Sequence, residues 1–279
     1  MDIGNLKIDL LNDGSMRADG GGFFGVVPKV MWERLMPADD RNRVSLSLNC
    51  PLIQVGGKNI IVDLGVGTKS TDKRQHLWHL DVGHLVGDLS AHGLKPEDID
   101  YVVFSHLHFD HAGGATHFTA AGDLAVTFPK AQHLVQQADW DEAMSPNMRS
   151  SAGYFEDDIE PLRRGNHLEL LDGDTEILPG VWCKVTGGHT TGHQIVLLDV
   201  AGQKACFFGD LIPTVHHLPI AYTQGYDLFP LDVMEQKRTL LDQALKEQWL
   251  ILFDHDAEKP AGYLEQADDG KLRLRVVDF

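Results

Sequence analysis

The stretch Ser105-His106-Leu107-His108-Phe109-Asp110-His111-Ala112-Gly113-Gly114 constrains this chain more than any other. It follows Tyr101-Val102-Val103-Phe104, an apolar run that reads as a buried strand, so the imidazoles and the carboxylate leave the sheet together where that strand ends. If the backbone stays extended through Leu107, alternation points His106 and His108 to the same side, as two ligands of one ion should point. The turn that follows re-aims Asp110 and His111. Four residues of ligand type within six positions suit one crowded ion or two neighbouring ions, and side-chain reach favours dividing them between two.

The rest of the composition bounds what can surround such a site. No Pro/Ser-rich linker, low-complexity tract or repeat divides the 279 residues, so a single domain over 1–279 is expected. Hydrophobic residues make up 43%, enough for a sizeable core. A formal charge of −17 argues against a nucleic-acid or anionic-membrane partner, although bound dications would offset part of it. Residues 1–7 lack the basic start and apolar core of a signal peptide, and no apolar run is long enough to span a bilayer, so a cytoplasmic location is expected. Cys50, Cys183 and Cys206 are odd in number and scattered, which suits reduced, buried thiols.

Along the chain, strands are expected over 6–11, 44–48, 52–55 and 59–65, with a turn at Asn12-Asp13-Gly14 and a hairpin turn at Gly56-Gly57. Asp63 arrives at the end of the last of these. Residues 19–28 pack four glycines beside Phe23 and Phe24, a composition for backbone held close to something else. Short helical pieces are read at 31–35 and 83–92, and further strands at 124–128 and 131–135. Residues 139–167 mix acids, arginines, prolines and aromatics without a clean period, as either an excursion over a site or a solvated helical insert would. Strands resume at 176–178, 181–185, 194–198 and 205–208. Residues 231–249 read as a helix with Met234, Leu241 and Leu245 on its buried face and Lys237 elsewhere. A buried strand over 250–253 and an edge strand over 271–277 complete the chain.

One pattern repeats: an apolar strand runs into a loop that begins with His or Asp. His106 to His111, His189, Asp210 and His255 occupy such ends, and side chains at neighbouring strand ends can converge on one mouth. This order, His-x-His-x-Asp-His followed by His, Asp and His, resembles the metallo-β-lactamase-fold hydrolases. Residues 19–29, 146–150, 187–193 and 209–214 are similar, more narrowly, to the YtnP-like quorum-quenching N-acyl-homoserine lactonases. The resemblance implies an α/β fold of four αββα layers and two divalent ions, zinc foremost, with iron, manganese or cobalt as alternatives. Position by position it implies His106, His108 and His189 on the first ion, Asp110, His111 and His255 on the second, and Asp210 between them. Asp63 would hold a ligand imidazole by its ring N–H. His193, His216 and His217 lie near these loops, where solvated or packing roles are as well supported.

The reaction this implies is opening of a lactone, or cleavage of another ester, by a hydroxide generated between the ions, with the proton passed to the leaving alkoxide through Asp110. One position departs from the lactonases. They carry a tyrosine three residues after the bridging aspartate, where this chain has Pro213, so Tyr222 and Tyr226 become the candidates to contact the substrate carbonyl. That departure leaves an arylesterase or phosphotriesterase as the enzymatic alternative, and a non-catalytic metal-binding protein as the other. The expected partner is a small lactone or ester, and the sequence leaves monomer or homodimer open.

Overall fold

In the computed structural model, which describes residues 1–3, 6–165 and 167–278, two large sheets face each other. Along the first lie Asp2–Ile3, Leu6–Asp19, Arg43–Val55, Lys58–Val62, Tyr101–Val103, Gln132–Gln136 and Leu168–Leu171, with Asp81–Val82 paired to Leu6–Asp19. The second holds, in sequence order, Thr175–Leu178, Val181–Val185, Gln194–Val200, Gln203–Phe207, Leu250–Leu252, Ala261–Gln266 and Leu272–Val276.

In the central strands, side-chain alternation sends successive apolar residues to opposite faces, so each sheet buries both faces there. Ile53, Ile60, Val62 and Val103 point inward against Val196, Leu198, Phe207 and Leu252, forming the core between the sheets. Their neighbours Leu52, Ile61 and Val102 point outward and pack on Leu89, Trp140, Ile159 and Leu162. Those four residues come from the helices Leu85–Ala91, Gln137–Met144 and Glu156–Arg164. On the other side Ile195, Leu197 and Ile251 pack on Val233, Leu241 and Ala244 of the helix Pro230–Glu247. The order helix, sheet, sheet, helix is the four-layer αββα arrangement that the resemblance implies. No described helix is long and apolar enough to cross a membrane.

Several local expectations change. Asn12-Asp13-Gly14 does not end a strand: Leu6–Asp19 runs through it with a bulge between Asn12 and Ser15. Buried Asp13 accepts the N–H groups of Gly67, Gly83 and Leu85 there, an arrangement that sequence reads only as turn chemistry. The segments 44–48 and 52–55 form one strand, Arg43–Val55. Its buried polar residue Asn49 is satisfied by the carbonyls of Phe253 and Asp256 from the second sheet's side. The helix Pro230–Glu247 buries Val233, Lys237, Leu241 and Ala244 rather than Met234 and Leu245. Lys237 can be buried because its ammonium donates to the carbonyls of Pro219 and Tyr222, at 3.0 and 2.6 Å.

Residues 139–167 are largely helical, with Asn166 outside the described residues. Pro161 sits inside Glu156–Arg164, and the Asp157 carbonyl that it cannot bond accepts instead from the Thr116 hydroxyl at 2.6 Å. The two readings of this segment merge, because Gly153 packs directly on the His108 ring and Tyr154 lies 4.8 Å from it.

Candidate metal centre

Strand direction gathers the ligand-type residues at one edge of the sandwich. Lys58–Val62 and Tyr101–Val103 are parallel, so Asp63 and the His106 to His111 stretch emerge at the same end. In the second sheet Gln203–Phe207 and Leu250–Leu252 are parallel. Val181–Val185 runs the same way as Gln203–Phe207, two antiparallel pairings removed, so His189, Asp210 and His255 also emerge together. The two edges are joined by backbone bonds from Ser47 N–H to the His255 carbonyl and from Asn49 N–H to the Asp254 carbonyl, at 3.2 and 2.8 Å. After the motif, the short helix Phe109–Ala112 begins at His108 and presses Gly113 and Gly114 against the backbone at 64–66. A Cβ on Gly114 would stand 2.2 Å from the Leu64 carbonyl oxygen, so only glycine lets the helix seat there.

Two groups of donors result. In the first, His108 Nδ1 lies 2.9 Å from His106 Nε2 and 3.1 Å from His189 Nε2, and Asp210 Oδ2 is 2.9 Å from His189 Nε2. In the second, Asp210 Oδ1 lies 3.3 Å from His255 Nε2 and 3.8 Å from His111 Nε2. Asp110 Oδ2 stands 3.7 and 4.0 Å from the same two nitrogens. The Asp210 carboxylate thus turns one oxygen to each group. Six of the seven residues that the sequence singles out as ligands fall in these two groups; Asp110 stands beside the second, whose remaining member is Asp254, a residue to which the sequence assigns no ligand role.

The far sides of the rings are tied down. His111 Nδ1 faces Asp63 Oδ2 at 2.8 Å, and Asp63 also accepts the Ser105 N–H and hydroxyl at 2.7 and 2.6 Å. His255 Nδ1 donates to the Ser47 carbonyl at 2.9 Å. His189 Nδ1 meets Asp227 Oδ1 at 2.8 Å. Asp227 and Asp139 were missed from sequence. The second is buried, accepts the Leu107 N–H at 2.8 Å and the Thr190 hydroxyl, and so fixes both ligand loops at once. Neither carries a local motif, since each is defined by a contact distant in sequence. His193 is buried beside the Thr186 hydroxyl, with its ring 5.5 Å from that of His106. His217 bonds the Phe23 carbonyl and the Thr214 hydroxyl, and His216 is half-buried.

The electrostatics are those of a cation site. Burial and the neighbouring imidazoles push His106 and His108 well below the usual range, which keeps them neutral as ligands must be. For His111 burial works downward, but the Asp110 and Asp63 carboxylates outweigh it and lift the pKa to about 9. Asp210 and Asp227 likewise overcome burial to lift His189 to about 10. His111 Nε2, Asp210 Oδ1 and Asp254 Oδ2 are all buried without a hydrogen-bond partner and face one another, a costly state that a shared cation relieves. A set of imidazole and carboxylate donors so arranged fits divalent ions.

Above the donors opens a cavity of about 320 Å³. His108, Asp110, His189, Asp210 and His255 form its floor, and Met16, Phe23, Leu46, Trp78, Phe109 and Leu228 supply apolar walls. Arg149 and Gln224 add polar groups, with Arg149 also donating to the Gly225 carbonyl. The two tyrosines separate here. Tyr226 lines the cavity, its hydroxyl reaching the place that a Cβ on Gly22 would occupy, whereas Tyr222 packs on the Phe23 and Phe24 cluster away from it. Phe24 is also not a wall residue, being fully buried between Trp32 and His217.

Comparison with known proteins agrees with this geometry. The sequence profile of the metallo-beta-lactamase superfamily matches residues 46–255. An N-acyl homoserine lactonase of Bacillus sp. is 31% identical over 188 residues, which span 64% of each chain. One of Bacillus cereus is 27% identical over 243 residues, 79% of this chain and 86% of that one. A Staphylococcus aureus structure described as a probable metal-dependent hydrolase covers 100% of both chains at 35% identity, with a TM-score of 0.90. AidC, a dizinc quorum-quenching lactonase, shares the fold at a TM-score of 0.77 and 18% identity, covering 100% of this chain and 97% of its own.

Proposed function

This chain belongs to the metallo-beta-lactamase superfamily and is a metal-dependent hydrolase, and we propose that it opens lactone rings, with N-acyl homoserine lactones as its substrate class. One observation carries the reading: the donor cluster forms the floor of a mostly apolar cavity, so an acyl chain can be held in the walls while its ester lies against the donors. In this reading His106, His108 and His189 would hold one divalent ion, His111, His255 and Asp110 a second, and Asp210 would serve both, with zinc as the expected metal. Such ions would supply an acidified water as nucleophile and positive charge for the carbonyl oxygen.

The chain's own residues do the rest. Asp63, Asp227 and the Ser47 carbonyl orient His111, His189 and His255. Asp110 lies both beside the donors and on the cavity floor, where its carboxylate can take a proton and return it to the departing alkoxide. Tyr226, which lines the cavity, is the residue assigned the place of the tyrosine absent at Pro213, its hydroxyl donating to a substrate oxygen. The three buried, unpaired cysteines suit a reducing compartment, from which we infer action in the cytoplasm.

A panel of lactones, aryl esters and phosphotriesters tests the proposal. For homoserine lactones kcat/KM should rise with acyl length by up to about 0.8 kcal/mol, roughly fourfold, per methylene until the walls are filled. Phe23→Ala should flatten that rise. Phe24→Ala should destabilise the fold by about 3–5 kcal/mol and leave the slope unchanged, because its ring does not reach the cavity. Faster turnover of aryl esters or triesters than of any lactone, with no chain-length trend, would replace the lactonase reading.

A further inference from the structure

Asp254 precedes His255 just beyond the strand Leu250–Leu252 and is 2% exposed. Its Oδ1 accepts the His255 N–H at 2.9 Å, while Oδ2 is buried without a hydrogen-bond partner. That free oxygen faces the second donor group, 3.5 Å from His255 Nε2 and 4.0 Å from His111 Nε2. Asp110 Oδ2 stands 3.7 and 4.0 Å from the same two nitrogens, so two carboxylates meet this imidazole pair on nearly equal terms. A turn cap needs only Oδ1. Facing two ligand nitrogens with no hydrogen-bond partner among the described residues, Oδ2 has an orientation that capping leaves unexplained.

We propose that Asp254 is a further ligand of the second ion, which His111, His255, Asp110, Asp210 and Asp254 would enclose. The inference rests on the two-ion reading given above. It makes the two positions chemically unlike: three imidazoles and one carboxylate oxygen at the first, two imidazoles and three carboxylates at the second. Oxygen-rich sets favour harder ions, so the second position should hold Mn²⁺ more tightly relative to Zn²⁺ than the first does.

Full-length protein stripped of metal and titrated with Mn²⁺, Zn²⁺ and their mixtures tests this by metal analysis, independently of turnover. The wild-type chain should take up two ions, with manganese enriched at one position. Asp254→Asn keeps an oxygen for the His255 N–H but removes the charge. It should weaken Mn²⁺ binding at the second position by at least about tenfold, with first-position Zn²⁺ affinity changed less than about twofold. Unchanged Mn²⁺ affinity and an unchanged Mn/Zn ratio in the folded variant would overturn the ligand role. Wild-type protein loaded with Co²⁺ gives a second readout. Weak visible absorption from a five- or six-coordinate ion is expected, and intense four-coordinate absorption at both positions would overturn the proposal without any variant. A wild-type chain that saturates at one ion would overturn the two-ion reading itself, and the inference with it.

Discussion

At the scale of single residues, the protons of the site compete with metal. His111 at about 9 and His189 at about 10 are both charged at neutral pH in the ion-free protein, because carboxylates outweigh their burial. A ligand imidazole must be neutral, so loading has to expel these protons and also that of His255, which the Asp254 and Asp210 carboxylates lift well above the usual range despite its burial, whereas His106 and His108 are already neutral and release none. The apparent affinity for each ion should therefore rise with pH through the neutral range, and fall as pH drops from 8 to 6 by about tenfold per unit for every proton that its own ligands must lose. Calorimetry in two buffers of different ionisation enthalpy counts the protons released. Affinity that does not change over this range would contradict the charge states given to His111 and His189.

At the scale of elements, what sequence could read depended on how local each signal was. The strands around Val103, Val196 and Leu252 were legible because burial on both faces leaves an uninterrupted apolar run, and the ligands because each follows such a run directly. The face of Pro230–Glu247 was legible only in part: Leu241 is buried and Leu245 packs beside it as expected, but Lys237 counts as polar by composition and is buried by the carbonyls of a distant loop. Asp139 is the clearest case of a role set by tertiary contact alone. It sits in the first turn of Gln137–Met144 and holds the backbone between His106 and His108 together with the loop after His189. Asp139→Ala would leave the Leu107 N–H and the Thr190 hydroxyl buried and unpaired, and should cost about 2–5 kcal/mol in urea unfolding with a parallel loss of metal affinity. Asp139→Asn, which retains an acceptor, should cost less. Equal stability of the alanine variant and the wild type would show that the helix start does not brace the ligand loops.

At the scale of the whole molecule, the sheets follow one another along the chain. The first ends at Leu171 and the second begins at Thr175, so only the turn between them joins the two covalently. His106, His108, Asp110 and His111 lie before that turn, and His189, Asp210, Asp254 and His255 after it. Neither donor group can be assembled from one side alone. Cutting at that turn should therefore make assembly of the site depend on the two halves meeting. Residues 1–172 and 173–279 expressed as separate chains should be metal-free and poorly folded apart, since each exposes its half of the inter-sheet core, and should recover metal when mixed. A first fragment that retained two ions by itself would contradict the shared site. If the pair does reconstitute, bound metal becomes a direct signal that two polypeptides have met.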